Sequence, residues 1–136
     1  MDFKNQKAIY LQIAERIMDE ILSGQYSEEA KLPSVREYAA EVEVNVNTVA
    51  RSFEWLQNQD IVVTRRGLGN FVSQGARETV LKLRKREFFS EQVPEFFRSM
   101  QALGIAIGEV VNQYNEYITN SSFASNGLAS QSSGAD

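Results

Sequence analysis

The sequence predicts a mainly α chain of the α+β kind: three N-terminal helices, a two-stranded hairpin, then a helical C-terminal region. Three observations predict it. Apolar residues recur every three to four positions through the first half. The stretch TRRGLGNFV, residues 64–72, joins two runs of β-branched and aromatic residues through a glycine-bearing turn. Beyond it, phenylalanine gathers in a helical stripe, with four of the eight lying between 88 and 97.

Ile9, Ile13, Ile17 and Ile21, with Tyr10, Ala14 and Leu22 beside them, make the first helix amphipathic, and Gly24 is placed to end it. In LPSVREYAAEV, Pro33 turns the chain, Ser34 caps a second, short helix, and Glu37 completes a capping box. Its inner face is Val35, Tyr38, Ala39 and Val42. VNVN is a turn, from which Asn45 or Asn47 caps a third helix with Val49, Phe53 and Leu56 inward and Ala50 and Trp55 at its margins. Two short helices across a tight turn, behind a longer first helix, form a helix-turn-helix layout. IVVT and NFVS then flank RRGLG as strands. A hairpin after three helices is the winged-helix arrangement, assigned to residues 1–75.

Past Gly75, RETVLKLRKREFF is charged and helical. Phe89, Val93, Phe96, Phe97, Met100 and Leu103 follow at helical spacing. Pro94 inside this run either kinks one long helix or starts a second. Gly104 breaks the pattern, and Ile107, Val110, Val111, Tyr114, Tyr117 and Ile118 make another stripe. Residues 76–119 are thus a helical region, and the Ser-, Ala- and Gly-rich residues 120–136 read as a flexible tail. Two helices alone cannot bury both stripes. They either pack on the winged helix or pair with a second copy. Pairing is the expectation, with Phe89, Val93, Phe96, Phe97, Met100, Val110 and Tyr114 as the dimerisation surface. The result is a two-fold assembly reading half-sites about one helical turn apart.

Composition narrows the function. With no cysteine and no histidine in 136 residues, disulfides and Cys/His zinc sites are excluded, and the usual partners of a catalytic nucleophile are missing. No acids sit in an acid–base pattern, so neither an enzyme nor a cofactor or metal is expected. No apolar run approaches the ~20 residues of a membrane span. MDFKNQKAIY lacks the layout of a signal peptide, so a cytoplasmic protein without a membrane partner is expected. The net charge is −4, yet residues 61–77 hold three arginines and no acid. A locally basic face on an acidic body is the expectation.

Four blocks carry a resemblance: IYLQI near the start, KLPSVRE at 31–37, VNVNTVARSF at 44–53 and TRRGLGNFV at 64–72. In this order and spacing they resemble the GntR family of bacterial transcription regulators, over about residues 7 to 75. Most such regulators carry a large effector-binding domain. Residues 76–119 leave room for two helices only, which resembles the YtrA-type subfamily, whose short helical tail serves dimerisation. The resemblance implies a homodimeric regulator of a double-stranded DNA operator, usually a repressor, often of a transporter operon and its own gene. The chain departs from the pattern at Glu28-Glu29, where Pro-Gly is frequent, at Asp60, where glycine ends the third helix, and at Val46, on the expected groove face. The sequence identifies no effector.

Seen this way, the third helix enters the major groove with its first residues at base edges. Asn45 and Asn47 start it, Asn47 as an N-cap, a partner for adenine, or both. Thr48 suits a phosphate or a thymine methyl, and Arg51, a turn later, a phosphate or guanine. Ser34 and Arg36 stand at the N-terminus of the second helix, where amides and dipole favour anions. The resemblance places Arg36 on DNA; a salt bridge to Glu37 or Glu41 is the alternative. Arg65, Arg66, Gly67 and Gly69 form the wing, glycine permitting close backbone approach and arginine suiting a narrow minor groove. Strand alternation leaves open which arginine points outward. Tyr38 and Trp55 suit base stacking or, more simply, the core. The competing function is a winged-helix adaptor that binds protein rather than DNA.

Overall fold

The computed structural model describes residues 7–132, and the chain divides into two compact units, one ending at Arg86 and the other beginning at Glu87. In the first unit, α1 (Ile9–Leu22), α2 (Val35–Val42) and α3 (Val46–Asn58) precede a hairpin of β1 (Val62–Arg65) and β2 (Gly69–Val72), and α4 (Ala76–Glu87) follows. The expected three helices and hairpin are all present.

Each helix ends for a local reason. After α1, Gly24 takes φ +88°, and its amide donates to the Ile21 carbonyl at 3.2 Å. At the start of α2, the Glu37 amide donates to Ser34 Oγ at 3.1 Å, and the Ser34 amide donates back to Glu37 Oε1 at 2.9 Å. The predicted capping box is therefore complete. Asp60, after α3, adopts φ +63°, the left-handed conformation that glycine takes without strain.

The core lies between the three helices and the hairpin. Ile13, Ile17 and Ile21 of α1 meet Tyr38 and Ala39 of α2, Val49, Phe53 and Leu56 of α3, and Val62 and Val72 of the strands. Ile9, the first member of the α1 stripe, stays exposed. Tyr38 stands edge-on to Phe53, centroids 6.1 Å apart, and donates its hydroxyl proton to Glu20 at 2.5 Å. Burial first, then the Glu20 carboxylate, raises its pKa far above the ordinary phenol value. Tyr38 is thus a core residue and Trp55 packs half-buried against the core, so neither is a free stacking platform.

Two features extend what the sequence predicted. The hairpin gains a third, irregular strand: Glu29 and Leu32 amides donate to the Val72 and Asn70 carbonyls at 2.8 and 2.9 Å, and Lys31 pairs with Phe71. The unit also continues past the expected boundary at Gly75. Ala76 and Val80 of α4 enter the core, and Arg84 reaches Asp19 at 2.5 Å and the Glu15 carbonyl at 2.9 Å on α1. The apolar residues of α4 were too few for its charged sequence to announce this docking.

In the second unit, a π-helical turn (Phe88–Gln92) leads into α5 (Val93–Leu103), and α6 (Ile107–Ser132) follows. Pro94 sits in the first turn of α5. It lacks an amide proton and its ring crowds the carbonyl four residues back, and the Val93 amide correspondingly reaches the Phe88 carbonyl, five residues back. Gly104 ends α5 at φ +68°. Glu109 caps α6 by accepting from the Ala106 amide at 3.0 Å. The helix continues to Ser132 across the stretch expected to be a flexible tail; residues 133–136 of that expectation lie outside the described residues. No helix among the described residues is long and apolar enough to cross a membrane.

Candidate nucleic-acid interface

The structure fixes where α3 begins. Asn45 is the N-cap, its Oδ1 accepting from the Asn47 amide at 2.7 Å. Asn47 is therefore inside the first turn, exposed, with its side chain free of capping. Of the two candidate caps, the structure selects Asn45. Thr48 is half-buried beside it, and Arg51, one turn on, is exposed. The Arg51 guanidinium lies 3.9 Å from the Tyr10 ring centroid, a cation–π contact that orients the side chain without neutralising it. The next residue, Ser52, is buried and donates to the Tyr10 carbonyl at 2.6 Å, tying α3 to α1.

Ser34 and Arg36 open α2. Ser34 uses its oxygen as the cap acceptor for the Glu37 amide, and its hydroxyl faces the Glu37 carboxyl. Arg36 is exposed and makes no salt bridge among the described residues, so the ion-pair alternative to Glu37 or Glu41 is not realised. The Ser34 amide, then its hydroxyl, holds the Glu37 carboxyl below the usual carboxylate range.

The wing turn runs Arg65 to Leu68, closed by the Leu68 amide donating to the Arg65 carbonyl at 2.9 Å. Gly67 takes φ +78° at its third position, which L side chains resist. In the hairpin register Arg65 faces Gly69, Thr64 faces Asn70, Val63 faces Phe71 and Val62 faces Val72. Val62 and Val72 point into the core; Thr64 and Asn70 share that face and bond to each other and to Gln57 of α3, bracing the wing. The alternate face carries Val63, Arg65 and Phe71, and Arg65 lies over the Phe71 ring at 4.7 Å. Arg66 is in the turn, where alternation no longer governs it. Both arginines are exposed, Arg65 steered by an aromatic face and Arg66 free at the tip.

One residue was missed by sequence reasoning. Lys31 reaches this outer face through its pairing with Phe71, and its Cε lies 3.1 Å from where a Cβ on Gly69 would stand. The signal was the lysine opening KLPSVRE, but only the irregular third strand reveals that it borders the wing.

The expected dimerisation residues lie in the second unit. Phe89, Phe96, Phe97 and Tyr114 are exposed, Val93 and Val110 half-buried, and Met100 buried between its own helices. α5 and α6 flank an apolar groove of about 490 Å³, lined by Phe96, Met100, Leu103, Val110, Tyr114 and Tyr117. Sequence alone gave no sign of such a cavity. Among the described residues no acid cluster is placed to hold a metal ion.

Comparison with known proteins bears on this arrangement. Residues 9–72 match the bacterial regulatory proteins of the gntR family. The chain is 38% identical over 109 residues to the HTH-type transcriptional regulator YhcF of Bacillus subtilis, covering 80% of this chain and 88% of that protein. It is 30% identical over 107 residues to the transcriptional repressor YtrA of the same organism, covering 79% and 82%. Among solved structures, a GntR-family transcriptional regulator from Bacteroides thetaiotaomicron superposes with a TM-score of 0.75 at 51% identity, over 84% of this chain and 99% of that one. A GntR-family regulator from Listeria monocytogenes gives 0.65 at 30% identity, over 84% and 98%. These relatives are transcriptional regulators rather than enzymes, and this chain, with its winged helix and short helical C-terminal unit, belongs to the GntR family of DNA-binding transcriptional regulators.

Proposed function

We propose that the protein is a homodimeric repressor of a two-fold operator, read by α3, the start of α2 and the wing. The observation that carries the dimer is the exposure of the second unit. Among its described large apolar residues Met100 alone is buried, while Phe88, Phe89, Phe96, Phe97, Leu103, Ile107, Val111, Tyr114 and Tyr117 are exposed. A helix pair leaving that much aromatic surface in water forgoes most of the burial that would hold it together. A second copy related by two-fold symmetry covers the same face on both chains.

The dimer also completes the DNA-binding argument. Each protomer offers few cations: Arg36, Arg51, Arg65 and Arg66 are the predicted ones. Because affinity scales with phosphates neutralised, one protomer binds weakly and two bind a palindrome. Asn45, Asn47 and Thr48 address base edges and adjacent phosphates, Ser34 and Arg36 the backbone, and Gly67 and Gly69 let the wing approach closely. The name of the YtrA relative supports repression, and the resemblance to its subfamily makes a transporter operon with the regulator's own gene the first target to examine. An adaptor that binds protein is the weaker reading, since it gives no role to an acid-free, arginine-bearing wing.

Sedimentation velocity of the wild type and of Phe97→Asp tests the dimer. A dimer that becomes monomeric in the variant supports it, and a monomeric wild type or an intact variant dimer refutes it.

A further inference from the structure

Gly69 and Phe71 are each approached by a cation from a different part of the chain. Arg65 is the partner of Gly69 across the hairpin, and its guanidinium lies over Phe71, two residues along the same strand face. Lys31 pairs with Phe71 from the other side, and its side chain runs back across Gly69, with Nζ 3.9 Å and Cε 3.1 Å from the place a Cβ would occupy. Any side chain at 69 would enter the space that the lysine uses. The flexible end of the lysine could give way by a few tenths of an ångström, but φ +115° is a backbone angle that L side chains rarely adopt, so the conformation favours glycine.

The two charges are available. Neither Lys31 nor Arg65 forms a salt bridge among the described residues. Lys31 acts at a distance on Glu37, whose Oε1 is already engaged by the Ser34 amide. An aromatic ring floors the site, which holds Arg65 in place while its charge remains exposed. The chain runs from Lys31 through Pro33 into Ser34 and Arg36, so the site adjoins the N-terminus of α2 as well as the wing.

We propose that Lys31 and Arg65 form a two-cation clamp for one DNA backbone phosphate on the outer face of the wing, with Gly69 and Phe71 as its floor. This rests on the reading of the wing as a DNA-contacting element, and it adds Lys31 as a binding residue. A paired clamp grips the backbone without reading sequence, so it sets the register of the wing on the duplex rather than the choice of bases.

The test is a salt titration by fluorescence anisotropy with two labelled duplexes, one from the DNA upstream of the protein's own gene and one of scrambled sequence. The wild type is compared with Lys31→Ala and Lys31→Arg. The clamp predicts that Lys31→Ala weakens both duplexes by the same factor, about 3- to 10-fold, and lowers the slope of log K against log salt by less than the roughly 0.9 per protomer of a fully lost phosphate, because Arg65 still contacts it. Lys31→Arg restores the slope. If Lys31→Ala leaves the slope unchanged, or weakens only the upstream duplex, the clamp is wrong while the wing can still bind DNA. If the wild type itself shows no salt-sensitive binding to either duplex, the DNA reading of the wing fails and the clamp fails with it.

Discussion

Tyr38 of α2 donates its phenolic proton to the Glu20 carboxylate of α1 at 2.5 Å, in a site where both side chains are buried. This single bond joins the two helices that support α3. Replacing Tyr38 with Phe keeps the edge-on ring against Phe53 but leaves a buried carboxylate without its donor. The expected loss is about 1–3 kcal/mol of unfolding free energy, read from urea denaturation. An unchanged midpoint would show that Glu20 finds water instead.

The same tyrosine sets an alkaline limit. Its folded pKa is raised, by burial first and by Glu20 second. A raised pKa means that the stabilisation is complete below the unfolded value, near 10, and is lost as pH climbs past it. Thermal melting between pH 8 and 11 should show a fall in Tm for the wild type that is shallower in Tyr38→Phe. Parallel curves for the two proteins would contradict this.

Glu37 sets the opposite limit. The Ser34 amide and hydroxyl lower its folded pKa, so its contribution is present above the unfolded carboxylate value and disappears as pH falls through the folded one. Glu37→Gln keeps an acceptor for the Ser34 amide but removes the titration. The acid limb of stability below pH 5 should flatten in this variant, as measured by urea midpoints from pH 3 to 6, and an unaltered limb would remove the capping box from the account.

Asp60 follows α3 at φ +63°, outside the range that L residues favour. Asp60→Gly relieves that strain and should raise stability by about 1 kcal/mol, offset in part by the extra freedom glycine has in the unfolded chain. Chemical denaturation checks it, and a destabilised variant would mean that the carboxylate supports the turn.

Much of this was legible in the sequence because its signals were local. Ser34 and Glu37 three residues apart specified a capping box, Gly24 and Gly104 marked helix ends, and RRGLG between β-branched runs specified the hairpin. What escaped depended on partners distant in the chain. Lys31 became part of the wing by pairing with Phe71, forty positions on. The docking of α4 on α1 draws on Arg77 and Arg84, which bond to α1, and on Ala76, Val80 and Leu83, too few and too spaced for a stripe of helical periodicity to single out. The cap of α3 also needed coordinates, because the choice between Asn45 and Asn47 turns on which residue keeps extended backbone angles. The Ser- and Gly-rich composition after Asn120 pointed to a coil, but α6 propagates through it to Ser132.

The central claim is that α3, the start of α2 and the wing read a two-fold site on DNA. Footprinting of the purified protein across the DNA upstream of its own gene tests this most directly, with Arg36→Ala and Arg51→Ala alongside. The account predicts one protected block containing two inverted half-sites about one helical turn apart, with protection requiring roughly 10-fold more of either variant, although both melt like the wild type. Protection of a single unpaired half-site, or protection unchanged in both variants, would contradict it.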